Sequence, residues 1–140
     1  NWFVSYHQDL SISVNQKHEL TDYKNWTFKK GQHGVQPPVK FLNKTITIRL
    51  HLDNTDENNG ALKVIPKSHL NGVVRQDSSR WNTDNEVTCH VKEGGIMLMK
   101  PLTLHASNKS TNKKGRRVIH LEFNAYLLNS PLKWLEYQTI

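Results

Sequence analysis

The chain has 140 residues, of which 36% are hydrophobic and 22% charged, and it carries a formal net charge of +7. That is enough for one domain, and it suits a soluble globular protein, not a disordered one. No apolar run approaches the roughly 20 residues of a membrane-spanning helix, and no charged-then-apolar leader opens the chain, so neither membrane nor secretory character is expected.

The predicted elements are mostly strands. Trp2 to Asp9 is rich in aromatic and β-branched residues and reads as a strand. Ser11 to Lys44 is long and mixed, with Pro37-Pro38 near its end, and reads as a loop. Long loops in compact domains often carry function, so Trp26, His33 and Gln36, together with His51 on the next strand, are candidates to frame a substrate pocket.

Thr45 to Leu52 gives the strongest strand signal, alternating polar and apolar over its whole length. One face holds Thr45, Thr47, Arg49 and His51; the other holds Ile46, Ile48, Leu50 and Leu52. In an ordinary sandwich the polar face meets water; in a barrel holding a charged ligand it points inward. The strand alone does not choose.

Asn54 to Gly60 is a turn, and Ala61 to Ile65 a short strand ended by Pro66. Lys67 to Asn85 is polar, with a turn at Asn71-Gly72. Strands follow at Glu86 to Val91 and Ile96 to Met99, parted by Gly94-Gly95, and then at Leu102 to Ala106. Cys89 is the single cysteine, which excludes an intrachain disulfide and fits a reducing, cytoplasmic compartment. Within Val87-Thr88-Cys89-His90-Val91 it reads as a buried structural thiol.

The one dense basic cluster is Lys109, Lys113, Lys114, Arg116 and Arg117. It lacks interleaved aromatic residues, which weighs against a nucleic-acid partner. Arg116 to Phe123 alternates, with Ile119, Leu121 and Phe123 on one face, and Pro131 to Tyr137 is predicted as a short terminal helix. Many short strands without regularly interleaved helices indicate an all-β sandwich or barrel.

Three residues could grip a metal. His7 and Asp9, two apart on a strand, project to one face about 7 Å apart along it. His105, at the end of the apolar stretch Met97 to Leu104, could supply a third ligand. Two imidazoles and one carboxylate form the facial set that leaves coordination positions open for iron(II) oxygen chemistry. Arg116 follows His105 in a strand after a polar loop; an arginine there could neutralise a carboxylate through paired N–H···O contacts. Ser107 could add a hydroxyl donor. Arg117 faces the opposite side of the strand, and either arginine could serve.

The ordered set His7-Gln8-Asp9, Asn58-Asn59-Gly60-Ala61-Leu62-Lys63-Val64-Ile65-Pro66-Lys67-Ser68-His69, His105-Ala106-Ser107 and Arg116-Arg117 resembles the phytanoyl-CoA dioxygenase family over nearly the whole chain. The resemblance implies a double-stranded β-helix (jelly-roll, cupin-like) with long loops, and it implies iron(II), 2-oxoglutarate and dioxygen. It assigns His7, Asp9 and His105 to the metal, Arg116 to the far carboxylate of 2-oxoglutarate, Ser107 to the same carboxylate, and Gln8 to a place beside the co-substrate. Arg49 falls where the family carries an aromatic residue near the co-substrate, and Lys67 replaces the usual glycine.

The implied activity is hydroxylation of a small organic molecule, with release of succinate and carbon dioxide. Only six residues precede His7, so residues 1–140 are expected to be the C-terminal portion of a catalytic domain without its helical N-terminal part. The apolar face of the Ile46 strand is then expected to be exposed. Two alternatives are a non-catalytic β-barrel binding module and a nucleic-acid demethylase of the same superfamily. The latter resembles a pattern with a second arginine where Glu122 stands here.

Overall fold

A computed structural model of the chain describes residues 3–74, 82–112 and 114–137. Among them lie ten strands: β1 (Val4–His7), β2 (Ile12–Val14), β3 (Lys24–Lys29), β4 (Gln32–Gln36), β5 (Ile46–His51), β6 (Leu62–Val64), β7 (Val87–Cys89), β8 (Ile96–Met99), β9 (His105–Ser107) and β10 (Val118–Phe123). The one α-helix, α1 (Val39–Lys44), follows β4. All strand pairs are antiparallel, in three open sheets ordered β1-β9-β6-β7, β10-β5-β8 and β2-β4-β3. The first two face each other, because Asp9, just after β1, meets His120 and Glu122 of β10. This is the all-β architecture that the strand pattern predicts, in the jelly-roll form that the family resemblance implies.

The orientation of β5 decides how this pair of sheets is built. Thr47 and His51 are buried, whereas Ile46 is 43% exposed. The polar face therefore points into the space between the sheets. The apolar face points out, and register makes it continuous: Ile46 lies opposite Phe123, Ile48 opposite Leu121 and Leu98, and Leu50 opposite Ile119 and Ile96. Leu98 is 65% exposed and Ile96 62%. The exposed outer face expected from the sequence is present.

The segment read as a long loop is instead structured and supplies much of the main hydrophobic cluster. It forms β2, β3, β4 and α1, and the main hydrophobic cluster lies there: Ile12, Val14, Val35, Phe41 and Leu42 pack with Leu102, Leu128 and Leu132. Lys30 and Gly31, both at positive φ, close the β3–β4 hairpin. This two-residue turn matches the twist of the strands it joins. Pro37 and Pro38 precede α1, where their missing N–H groups cost nothing. Thr45 ends the helix, its hydroxyl donating to the Phe41 carbonyl at 3.0 Å, and β5 begins at once.

Two further expectations are corrected. Pro131 to Tyr137 is not helical: Trp134 bridges to Val14, and Leu135 N–H donates to the Ser13 carbonyl at 3.1 Å. Seven residues scarcely repay helix nucleation, whereas running beside β2 buries Leu132. The strand expected from Leu102 begins only at His105, because Thr103 N–H closes a turn onto the Lys100 carbonyl at 2.9 Å. Of the segment Lys67 to Asn85, residues 75–81 lie outside the described part. Ser68–Asn71 is a short 3-10 turn.

Candidate metal centre

His7 and His105 are cross-strand partners on β1 and β9, with ring centroids 4.2 Å apart. Asp9 reaches between them: Oδ1 lies 3.7 Å from His7 Nε2, and Oδ2 lies 3.5 Å from His105 Nε2. All three ligand atoms fall within 4.8 Å of one another. Each ring is oriented from behind. His7 Nδ1–H donates to the Ser5 carbonyl at 2.9 Å, and His105 Nδ1–H to the Thr103 carbonyl at 2.8 Å. That fixes the tautomer with the Nε2 lone pair facing Asp9, as a histidine ligand requires. Burial holds the His105 imidazole below its ordinary pKa against the opposing pull of Asp9, so the ring is neutral near pH 7. Asp9 Oδ2 is buried with no hydrogen-bond partner. Two imidazole nitrogens and an unpartnered carboxylate oxygen suit a divalent cation.

The turns named in the sequence hold this group in place. Ser68 Oγ accepts from Leu104 N–H at 2.8 Å and donates to the Ile65 carbonyl at 2.6 Å, steadying the residue before His105. Asn59 is buried; its amide donates to the carbonyls of Asn54 at 2.7 Å and Gly115 at 3.4 Å, which ties the turn to the residue before Arg116. Gly60 sits at φ +82°, and a Cβ there would lie 2.8 Å from the Asn108 carbonyl oxygen. Its own carbonyl accepts from Arg116 Nη1 at 2.6 Å.

The two arginines part company. Arg117, its side chain 73% exposed, grips Asp53 through Nη2 at 2.9 Å and Nε at 3.0 Å. Arg116 is half-buried, and its Nε has no partner. Burial lowers its pKa, and it lowers that of Arg49 in turn, after burial's larger effect there. Burial, then Arg49 and Arg116, also lower the pKa of His51. The buried side-chain atoms without a hydrogen-bond partner, among the described residues, are Asp9 Oδ2, Thr47 Oγ1, Arg49 Nε, His51 Nε2 and Arg116 Nε. They belong to one chamber, with two cations near a potential metal. Ser107 is buried on the same strand as His105.

The other expected residues have partners of their own. Gln8 donates both amide N–H groups to carbonyls, of Gly72 at 2.8 Å and Leu102 at 2.7 Å, and accepts from Val74 N–H at 2.9 Å. It clamps the backbone on either side of the metal group. Trp26 packs on the hydrophobic cluster, His33 lies against Phe28, and Gln36 accepts from Asn25 at 2.7 Å. Of the four pocket candidates, His51 alone is grouped with Arg49 and Arg116. Cys89 is half-buried, and burial pushes its thiol pKa up against the pull of Arg49. The chamber also holds Thr47 and His120, which the sequence reading did not select. Their signal was the alternation itself, since they fall on the polar faces of β5 and β10.

The family model for phytanoyl-CoA dioxygenase matches residues 2–118. No curated protein matches the chain. Among solved structures, EctD from S. alaskensis in its apo form is 25% identical with a TM-score of 0.55, covering 68% of this chain and 36% of its own. EctD has also been solved with bound Fe, and with 2-oxoglutarate and 5-hydroxyectoine. AviO1 from Streptomyces viridochromogenes Tue57 is 18% identical with a TM-score of 0.56, covering 88% of this chain and 43% of its own. HygX from Streptomyces hygroscopicus, with nickel, 2-oxoglutarate and hygromycin B bound, is 12% identical with a TM-score of 0.54, covering 89% of this chain and 51% of its own. The chain thus spans about half or less of each of these proteins.

Proposed function

Because the chain belongs to the phytanoyl-CoA dioxygenase family, we propose that it acts as an iron(II)- and 2-oxoglutarate-dependent oxygenase that hydroxylates a small organic molecule. The observation that carries this reading is the convergence of His7, Asp9 and His105 to within 4.8 Å. The EctD structures with Fe and with 2-oxoglutarate support the choice of metal and co-substrate. When bound, iron(II), 2-oxoglutarate and dioxygen supply the oxidising chemistry, with succinate and carbon dioxide as co-products.

The chain's own residues bind and orient. His7 and His105 present their Nε2 atoms, and Asp9 a carboxylate. Arg116 anchors the far carboxylate of 2-oxoglutarate with its guanidinium, which the Gly60 carbonyl holds in position. Ser107 adds a hydroxyl, and Arg49 a second positive charge. Burial and the neighbouring Arg116 charge raise the cost of charging Arg49, and a dianionic co-substrate relieves that cost. Gln8 keeps the loop of Asp9 rigid.

The test is ferrous binding without oxygen. Addition of 2-oxoglutarate should produce the visible charge-transfer absorption of the chelate, and air should then release succinate. His105→Ala should lose both signals. Retention of both by that variant would sink the metal assignment. Tight 2-oxoglutarate binding without any metal dependence would point to a non-catalytic binding module.

A further inference from the structure

The inner face of β10 carries chemistry that the metal centre does not use. In the β5–β10 register Arg49 lies opposite His120, and Thr47 opposite Glu122. Arg49 Nη1 is 3.1 Å from His120 Nδ1. A guanidinium only donates, so His120 Nδ1 accepts and the ring proton sits on Nε2. That nitrogen faces Glu122 Oε1 at 3.6 Å. Arg49 therefore orients His120, and His120 stands beside Glu122.

Among the described residues, Glu122 has no other hydrogen-bond or ion-pair neighbour, and its side chain keeps 31% exposure. One of its oxygens, a His120 nitrogen and an Asp9 oxygen lie within 4.8 Å of one another. Glu122 is thus a carboxylate with spare acceptor capacity at the edge of the metal group. A second cation among these three is disfavoured, since Arg49 occupies His120 Nδ1 and His7 and His105 claim Asp9. What remains is a role toward a third molecule.

Charge selects its nature. Arg49, Arg116 and a divalent ion bring four positive charges; Asp9, Glu122 and a dianionic co-substrate bring four negative ones. A substrate carboxylate beside Glu122 would be repelled, whereas a hydroxyl or ammonium group would find an acceptor. Resting on the oxygenase reading above, we infer that Glu122, positioned by His120 and Arg49, accepts a hydrogen bond from the substrate. The substrate class is then a polar hydroxylated or amino compound, not an acid, with that donor near the carbon to be oxidised. The lysine-rich surface alone would have suggested the reverse, an anionic substrate.

The experiment uses the protein loaded with manganese(II) and 2-oxoglutarate, and three four-carbon probes: 1,4-butanediol, 4-amino-1-butanol and butyrate. Metal-enhanced relaxation of the probe protons reports binding beside the ion. The diol and the amino alcohol should be relaxed and butyrate should not. Glu122→Gln should weaken donor binding about tenfold and admit butyrate, while Glu122→Asp should keep the donor preference. A larger loss for the amino alcohol than for the diol identifies ammonium; an equal loss identifies hydroxyl. Butyrate binding as well as the donors to the wild type would overturn the inference, as would the same relaxation in wild type and Glu122→Gln, including none in either. Failure of manganese itself to bind, seen by electron paramagnetic resonance, strikes the oxygenase reading instead. The same probes followed by saturation-transfer NMR on the metal-free protein then decide Glu122 separately.

Discussion

Two regions of this molecule bury side chains in opposite ways. Around the third sheet, Val14, Val35, Leu42 and Leu102 are almost wholly inaccessible and apolar. Each such side chain contributes about 1.5–3 kcal/mol on leaving water. In the chamber between the other two sheets the buried set is Thr47, His51, His105 and Ser107, flanked by half-buried Arg49 and Arg116. Five polar atoms there lack a hydrogen-bond partner among the described residues, and each unpaired group costs about 1–3 kcal/mol. The difference separates two jobs: the third sheet stabilises the fold, and the chamber spends stability on groups arranged for ligands. Strong binding sites are commonly built at such a cost.

That division can be broken most directly at Leu42, which is 1% exposed. Leu42→Ala should cost about 2–5 kcal/mol in urea unfolding, with the metal affinity of the remaining folded protein unchanged. A cost near zero would show that the third sheet is not the stabilising core. The opposite sign is expected in the chamber. Thr47 is fully buried with an unpartnered hydroxyl, so Thr47→Val should stabilise the metal-free protein by about 1 kcal/mol. The same change should weaken 2-oxoglutarate binding in a calorimetric titration. If Thr47→Val destabilises, the chamber is packed like a core and the contrast fails.

These regions differ as much in how legible they are. The alternation of β5 and the spacing of His7, Asp9 and His105 mark the site in the sequence, because period two and ligand chemistry are local properties. Which face of β5 turns inward is not local; it depends on what the opposite sheet offers, and here that is Asp9. The structure also separates Arg116 from Arg117 through two partners remote in sequence, Gly60 and Asp53. The third sheet was hidden because its signals are weak one by one. β2 has three residues, β4 contains Gly34, and the hairpin turn is Lys30-Gly31. Asn-Gly or Asp-Gly would have announced such a turn. Lys67 shows the reverse case. The sequence marks it as a departure from the family glycine, and the structure supplies the reason for that glycine: φ at Lys67 is +63°.

The smallest expected effect lies outside both regions and sharpens the contrast between the two arginines. Asp53 accepts from Arg117 through both carboxylate oxygens and through the Arg117 backbone N–H at 2.7 Å. These bonds lower its pKa from an ordinary 3.8 to about 2. A carboxylate depressed on folding adds stability that is fully present above the unfolded value and is lost as pH falls through the folded one. The wild type should therefore lose a small increment of stability between about pH 4 and pH 2 that Arg117→Ala lacks over the same window. The pair is solvent-exposed, so salt should shrink the difference. Arg117→Ala should leave 2-oxoglutarate affinity unchanged at neutral pH, whereas Arg116→Ala should abolish it with little change in acid unfolding. An exchange of these two phenotypes would transfer the anchor from Arg116 to Arg117.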